Sequence, residues 1–290
     1  MPAATQTTAD DRAAYRRDGA VCLRQVFAPE WIELLNRGLD RNIANPGPWF
    51  TDFTDKAGGG RCIKDDFCWE RIPEYEAFAR RSPAAAIAGE LMQAREVCFI
   101  EDQYFQKDAG ASTPTPYHQD QSYYEVRGEW CVTWVPLDPH AAEDSLRIVA
   151  GSHGWGTLFT PKSFAGEGGA FDVKQAQSPL APVPDIEGEP ARYRVLAWAM
   201  EPGDCLVFHP RALHGNSGNR SARRARRISL RWVSETATYD QGVLPWATFV
   251  PEHGLAHGER IIGRKFPLVW TRAAGLLAEQ PDAGGRSMPT

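Results

Sequence analysis

The chain has 290 residues, of which 42% are hydrophobic and 24% are charged, and its formal net charge is -5. These values are ordinary for a globular protein, and the acidic balance argues against nucleic acid or an anionic membrane as the main partner. The six cysteines include no C-x-x-C pair, which disfavours a paired-cysteine zinc site. No signal peptide and no long apolar run is visible, so the expectation is a cytoplasmic protein with free thiols.

The first hundred residues predict a layer of helices. After a disordered tip over residues 1–9, helical patterns begin at Asp10 and at Pro29, where a proline suits the first helical turn. A further helix is expected from Ser82 to Met92 because serine is a common N-cap. Residues 45–62 are rich in Gly, Pro and Asp and predict a long loop, the kind of segment that often forms a lid.

From Val97 onward, the pattern changes to short runs of β-branched and aromatic residues between turn signals, which predicts an all-β barrel or sandwich. The runs are 97–107, 130–137, 146–149, 194–199, 205–208 and 227–233. Residues 156–191 show no periodicity and are interpreted as an insertion over the barrel mouth, and 277–290 as a flexible tail. We therefore expect a single domain over 1–290, mainly β, with an N-terminal helical layer packed on a barrel.

Two segments about a hundred residues apart predict a metal site. His118 and Asp120 stand two apart, so on an extended strand both side chains point to the same side. His214 follows a short apolar strand and precedes a glycine-rich loop. Two imidazoles and one carboxylate form the facial triad that holds non-haem Fe(II) and leaves three coordination positions open. His209 is a competing ligand but is better explained as a partly buried, hydrogen-bonded histidine, and the other four histidines are expected at the surface: His140, His153, His253 and His257.

An arginine-rich segment follows the second histidine and could bind the carboxylate of a co-substrate through a bidentate pair. Ile228, Leu230 and Trp232 should share one face of a strand, which leaves Arg227, Ser229 and Arg231 on the other face. If the apolar face packs under the helices, Arg227 points into the barrel. Arg226 is the alternative if the strand slips by one residue.

These segments resemble the phytanoyl-CoA dioxygenase family of Fe(II)/2-oxoglutarate oxygenases, and the resemblance extends over nearly the whole chain. It is carried by His118-Gln-Asp120, by the turn Ala150-Gly-Ser-His153, and by His214-Gly-Asn-Ser-Gly-Asn219 with the arginines that follow. The resemblance implies a double-stranded β-helix, that is, a cupin-like jelly roll, with Fe(II), 2-oxoglutarate and O2. It assigns His118, Asp120 and His214 to the metal and to catalysis.

The resemblance also implies further pocket residues. Gln103, Lys107 and Trp134 match positions that help to bind 2-oxoglutarate, and Ser229 joins them as a cofactor-binding candidate. The family usually has its co-substrate arginine eleven residues after the distal histidine, where this chain has Ala225. Arg227 is therefore the preferred arginine, with Arg226 as the alternative.

The substrate is less well defined than the cofactors. Its candidate contacts are Tyr123, Tyr124, Trp49, Phe50, Phe53 and Lys64, together with the 156–191 insertion. Related halogenases lack the carboxylate ligand, so Asp120 favours hydroxylation or another oxidation of a small molecule. Two alternatives remain: a cupin-like metalloenzyme that does not use 2-oxoglutarate, and a non-catalytic small-molecule binding protein on the same fold.

Overall fold

The structure is a computed structural model that describes residues 6–54, 59–111, 113–160, 178–219 and 221–277. In these ranges the helices are α1 (Ala9–Asp18), α2 (Pro29–Ala44), α3 (Pro73–Arg81) and α4 (Ala84–Leu91). The strands are β1 (Ala20–Leu23), β2 (Thr51–Asp52), β3 (Cys62–Asp66), β4 (Glu96–Lys107), β5 (Thr115–His118), β6 (Val126–Arg127), β7 (Trp130–Pro136), β8 (Arg147–Val149), β9 (Phe159–Thr160), β10 (Ala181–Pro182), β11 (Val195–Leu196), β12 (Cys205–Phe208), β13 (His214–Asn216), β14 (Ala225–Ser234), β15 (Thr238–Tyr239), β16 (Leu268–Thr271) and β17 (Gly275–Leu276).

Two antiparallel sheets form the barrel. The major sheet has the order β1-β12-β7-β14-β4-β16-β17, and β3 pairs with the other half of the long β4 and carries β2. The minor sheet has the order β11-β8-β13-β5. Strands of both sheets line one central cavity, as in a jelly roll, and this confirms the predicted fold class. The first strand and the last strand of the described chain both belong to the major sheet.

Alternation along β14 places its two faces in different surroundings. Ile228, Leu230 and Trp232 are fully buried and pack in the same core cluster as the helices. Arg227, Ser229 and Arg231 point into the barrel, where they line the cavity. The predicted register of this strand is therefore the observed one.

The helices pack on the outer face of the major sheet. Thr8 caps α1, and its hydroxyl accepts a hydrogen bond from the Asp11 backbone N–H while the Asp11 side chain accepts from the Thr8 backbone. Thr7 is buried and bonds Glu90 of α4. The prediction of a disordered tip over 1–9 is therefore wrong for residues 6–9, and residues 1–5 lie outside the described ranges.

Other sequence predictions need smaller corrections. The helix predicted from Ser82 begins at Ala84 with Pro83 as its N-cap, and α3 was not predicted. The predicted loop 45–62 contains β2 and runs into β3, because this segment pairs with the edge of β4. No helix in the described part of the chain is both long and apolar enough to cross a bilayer.

Part of the predicted insertion over 156–191 can be located. Residues 161–177 lie outside the described ranges, whereas β9 and β10 pair with each other on either side of them. None of the described residues of this segment lines the central cavity. The predicted tail over 277–290 also lies outside the described ranges, apart from Leu277, whose backbone N–H bonds Val269.

Candidate metal centre and co-substrate pocket

Two neighbouring strands of the minor sheet bring the predicted metal ligands together. His118 ends β5 and stands directly opposite His214, which begins β13. Asp120 opens a short 3₁₀ turn over 120–123 immediately after β5. The ligand atoms of the three residues lie within 4.8 Å of one another, and all three residues are buried. Asp120 Oδ1 lies 3.3 Å from Nε2 of each imidazole.

The second nitrogen of each imidazole is fixed by a backbone carbonyl. His118 Nδ1 lies 2.7 Å from Pro116 O, and His214 Nδ1 lies 2.9 Å from Ala212 O. Because a carbonyl only accepts hydrogen bonds, Nδ1 carries the proton and Nε2 presents its lone pair to the centre. Burial and the neighbouring His214 lower the pKa of His118, which favours the neutral form that binds metals.

Asp120 is held by a buried arginine from the opposite sheet. Arg231 Nη2 lies 3.2 Å from Asp120 Oδ2. Burial works to raise the pKa of Asp120, but the charge of Arg231 opposes it, and that pKa lies well below its usual range. The carboxylate therefore stays ionised, with Oδ2 occupied by the arginine and Oδ1 directed at the histidines.

Gln119, between the two ligands, points away from them as the extended spacing predicts. Its amide nitrogen donates to Thr157 O and Arg211 O, and its amide oxygen accepts from the Phe159 backbone N–H. The residue thus ties the metal-binding segment to the described start of the insertion.

A cavity of about 390 Å³ opens onto the three ligands. Its major-sheet wall consists of inward-facing side chains in cross-strand rows, because residues opposite each other in neighbouring strands point to the same side. The rows, read from β3 through β4 and β14 to β7, are Lys64–Phe105–Arg227, Asp66–Gln103–Ser229–Trp134 and Glu101–Arg231. All of these residues except Glu101 line the cavity.

Arg227 is a buried cation in this wall. It is 7% exposed, and its guanidinium lies 5.2 Å from the ring centroid of Phe105 and 5.8 Å from that of Trp134. Among the described residues, none provides it with a carboxylate partner. Burial lowers its pKa to about 10. An arginine that is desolvated between aromatic rings without a counter-ion is suited to bind an anionic ligand.

Arg226 is excluded from the cavity by its own ion pair. Its Nε and Nη2 donate to the Asp138 carboxylate at 2.9 and 2.7 Å, and it does not line the cavity. The register of the strand therefore places Arg227, and not the alternative Arg226, on the cavity side.

Lys107 lies behind the cavity and does not line it. Its Nζ donates to Thr113 O, Thr115 Oγ1 and Asn216 Oδ1 at 2.8 to 3.3 Å. Burial and the nearby Arg227 lower its pKa to about 7. Lys107, predicted as a cofactor-binding residue, therefore lies behind the cavity wall at the end of β4.

The predicted substrate residues separate into two groups. Phe50 and Phe53 do not line the cavity, and Phe50 packs against the helical core. The other predicted residues do line it: Trp49, Lys64, Tyr123 and Tyr124. Trp49 is 47% exposed and makes an edge contact with Phe67 at 5.7 Å between ring centroids.

The remaining histidines lie outside the ligand cluster. His209 Nδ1 accepts from the Arg211 backbone N–H, and burial lowers the pKa of this ring to about 3. His140 was predicted at the surface but is 4% exposed, because it packs against Trp134. His153 and His253 are half-buried, and His257 is exposed as predicted.

The sequence reasoning missed several functional positions. Arg231 shares a face with Arg227 in the predicted alternation, but alternation alone does not indicate which carboxylate it contacts. Asp66 and Phe67 lie just beyond the predicted loop over 45–62, where no element was predicted, and Phe105 carried no signal beyond its place in a strand. Thr248 and Phe249 lie after the last predicted strand, where the sequence has no periodicity.

The donor set fits Fe(II). Two neutral imidazoles and one ionised carboxylate converge from one side, which matches the 2-His-1-carboxylate arrangement of non-haem iron oxygenases. The cavity supplies a separate cationic group, Arg227, for an anionic co-substrate. These residues would hold the metal and the co-substrate within one buried site.

Comparison with known protein sequences indicates the same class of enzyme as the donor set does. The profile of the phytanoyl-CoA dioxygenase (PhyH) family matches residues 15–228. A dioxygenase, FrzG, from Cladobotryum sp is 24% identical over 232 residues, which cover 74% of this chain and 70% of the relative. A probable phytanoyl-CoA dioxygenase from Caenorhabditis elegans is 30% identical over 123 residues, which cover 41% of this chain and 36% of the relative.

Similar folds occur among solved structures. The epimerase SnoN, in complex with Fe3+, alpha ketoglutarate and nogalamycin RO, superposes with a TM-score of 0.71 at 22% identity over 89% of this chain and 97% of SnoN. EctD from S. alaskensis, with 2-oxoglutarate and 5-hydroxyectoine, gives a TM-score of 0.62 at 18% identity over 89% of this chain and 87% of EctD. At these identities the likeness establishes the fold.

Proposed function

The chain belongs to the phytanoyl-CoA dioxygenase family of Fe(II)/2-oxoglutarate-dependent oxygenases, and from this membership we propose that it hydroxylates a small-molecule substrate. The reaction would be coupled to decarboxylation of 2-oxoglutarate to succinate and CO2. One observation carries the proposal: a buried arginine, which has no carboxylate partner in the described part of the chain, lines the same cavity as a complete facial triad.

Each part of the cavity has a proposed role. His118, Asp120 and His214 hold Fe(II), and Arg227 binds the distal carboxylate of 2-oxoglutarate, with Ser229, Gln103 and Trp134 beside it. When bound, the iron, O2 and 2-oxoglutarate supply the oxidising chemistry. The chain positions the reactants and keeps water from the buried end of the site.

Hydroxylation is the favoured reaction because the carboxylate ligand is present. Asp120 occupies the position that related halogenases leave open for a halide. The fold also occurs in an epimerase, SnoN, and in a carbocyclase, SnoK, so product analysis must separate the reaction types. A product heavier than its substrate by one oxygen atom supports hydroxylation, and an isomer or a product lacking two hydrogens contradicts it.

Cofactor use can be tested before any substrate is known. The purified protein is titrated anaerobically with Fe(II) and then with 2-oxoglutarate, and the visible spectrum is recorded. We expect the metal-to-ligand charge-transfer band of a 2-oxo acid chelated to iron. If Fe(II) binds and the band is absent, a metalloenzyme that does not use 2-oxoglutarate is favoured. If neither binds, the chain is a small-molecule binding protein on this fold.

Two further expectations complete the proposal. We propose that the protein works in the reducing cytoplasm, which is supported by six unpaired cysteines, five of them buried. We also propose that the chain acts as one oxygenase domain, since its first and last described strands belong to the same sheet.

A further inference from the structure

Asp66 is an acidic residue in the cavity wall that the proposed chemistry does not use. It ends β3 and stands opposite Gln103 of β4, in the row that continues to Ser229. It lines the cavity and is 8% exposed. Its backbone belongs to the major sheet, which directs its side chain to the cavity side of β3.

The two oxygens of Asp66 differ in their surroundings. Oδ2 accepts a hydrogen bond from Lys64 Nζ at 2.6 Å. Oδ1 is buried and has no hydrogen-bond partner among the described residues. A buried carboxylate oxygen without a partner is unfavourable, because it has lost water and gained no donor in exchange. A bound molecule that brings a donor to this oxygen, after a turn of the side chain that opens Oδ1 to the cavity, would remove that penalty.

The other charged groups of the cavity are already engaged. Asp120 directs its oxygens to the two histidines and to Arg231. Arg227 is assigned to 2-oxoglutarate, and Lys64 offsets the charge of Asp66. Because Lys64 offsets its negative charge, the Asp66 carboxylate can accept a hydrogen bond from a neutral donor as well as from a cationic one.

Aromatic side chains line the cavity beside Asp66. Phe67 follows it in the chain and contacts Trp49, and Phe249 contributes a third ring. Flat apolar surfaces of this kind favour a ring-bearing molecule.

We propose that Asp66 determines substrate specificity by accepting a hydrogen bond from a hydroxyl or amino group of a ring-bearing substrate. This inference rests on the proposed function, because it places the substrate beside the iron and 2-oxoglutarate. It excludes substrates that would present a carboxylate or only hydrocarbon to this position.

The test uses four phenyl compounds of similar size that differ in the terminal group: 2-phenylethanol, 2-phenylethylamine, 3-phenylpropionate and propylbenzene. Each is titrated calorimetrically into the anaerobic protein loaded with Fe(II) and 2-oxoglutarate. We expect the alcohol and the amine to bind about tenfold more tightly than the other two, as a hydrogen bond to a charged group implies. Equal or tighter binding of the carboxylate or the hydrocarbon overturns the proposal, as does the absence of binding by all four.

Variants test whether Asp66 causes the tighter binding of the alcohol and the amine. In Asp66→Ala, the alcohol and the amine should lose about tenfold in affinity, whereas Asp52→Ala, a change at an exposed aspartate of β2, should leave it unaltered. If Asp66→Ala does not fold, Asp66→Asn keeps the shape and should weaken both compounds. Unchanged affinities in a folded Asp66 variant contradict the proposal. The charge-transfer band is recorded before these titrations, and its absence identifies a failure of the proposed function. In that case, the same titrations on the metal-free protein still test the role of Asp66.

Discussion

Arg231 Nη2 lies 3.2 Å from Asp120 Oδ2, and Arg231 Nε lies 3.4 Å from Glu101 Oε1, so one buried guanidinium joins the metal ligand to a second carboxyl group. The arginine also donates to Gln103 and Ser229. Burial raises the pKa of Glu101 to about 8 although Arg231 opposes it. Asp120 is therefore the ionised partner of the arginine, and its orientation depends on this contact.

The first prediction is that Arg231→Gln weakens Fe(II) binding by about 10- to 100-fold, the usual effect of removing a group that orients a metal ligand. Asp120 would lose the charge that holds Oδ2 and could turn away from the histidines. Anaerobic Fe(II) titration measures the affinity, and thermal melting of the metal-free variant separates this loss from unfolding. Arg226→Gln is the matched control, since Arg226 pairs with Asp138 outside the cavity. Wild-type iron affinity in a folded Arg231→Gln protein would contradict the role of Arg231.

The second prediction compares the two neighbouring arginines. Arg227→Ala should raise the concentration of 2-oxoglutarate needed for half-maximal turnover by about 10- to 100-fold, because a charged hydrogen-bonded pair to the co-substrate is lost. Arg226→Ala should change it little. Succinate formation at varied 2-oxoglutarate concentration measures both values. A larger effect at Arg226 would show that the assigned arginine is wrong.

The third prediction concerns the ligands themselves. His118→Ala or Asp120→Ala should reduce iron-dependent decarboxylation of 2-oxoglutarate to the background rate, because two protein ligands hold Fe(II) poorly. Carbon dioxide release from labelled 2-oxoglutarate provides the measurement. His209→Ala is the matched control, since this histidine lies outside the cluster. Wild-type rates in either ligand variant would refute the triad assignment.

The fourth prediction links a buried carboxyl group to stability. Burial raises the pKa of Asp102 to about 7, although the backbone N–H groups of Trp69 and Cys68 oppose it. The unfolded chain releases this proton near pH ~4, so the folded state holds more protons between about pH 4 and 7 and loses stability as pH rises through that window.

Asp102→Asn cannot ionise, so its free energy of unfolding should fall less between pH 4.5 and 7 than that of the unmodified protein, by roughly a few kcal/mol. Urea denaturation at both pH values provides the comparison. Asp40→Asn, at an exposed position of α2, is the control and should leave the pH dependence unaltered. An identical pH dependence in Asp102→Asn would show that Asp102 does not carry a raised pKa.

The fifth prediction tests the packing of α4 on the major sheet. A Cβ at Gly89 would lie 2.4 Å from Trp270 Cζ3, and Trp270 is 5% exposed. Gly89→Ala should therefore lower the free energy of unfolding by about 1–3 kcal/mol through overpacking. Gly154→Ala meets no atom within 4 Å and should be near neutral. Equal stability of the two variants would show that the helix can move away from Trp270 at little cost.

Several features of the site could be predicted from local rules. The spacing of His118 and Asp120 places both on one side of an extended segment, and alternation along β14 separates Arg227, Ser229 and Arg231 from the apolar residues between them. These rules depend on the two-residue period of a strand and need no knowledge of the partners. The same rules could not identify α3 or locate β3, because the neighbours that stabilise those elements are distant in the chain.

Residue type and strand periodicity were enough to predict the metal ligands, the mainly β fold and the face of β14 that carries the arginines. Which of these groups meet depends on how distant segments pack in the folded chain. Arg226 donates to the Asp138 carboxylate outside the cavity, and Lys107 donates to Asn216, which comes from a distant segment. Glu101 stands opposite Arg231 in the register that the two strands keep from Ala225 onward, and the pairing skips Ile100 only after this pair. Such outcomes depend on the register and distance of segments far apart in the chain, which no local pattern contains.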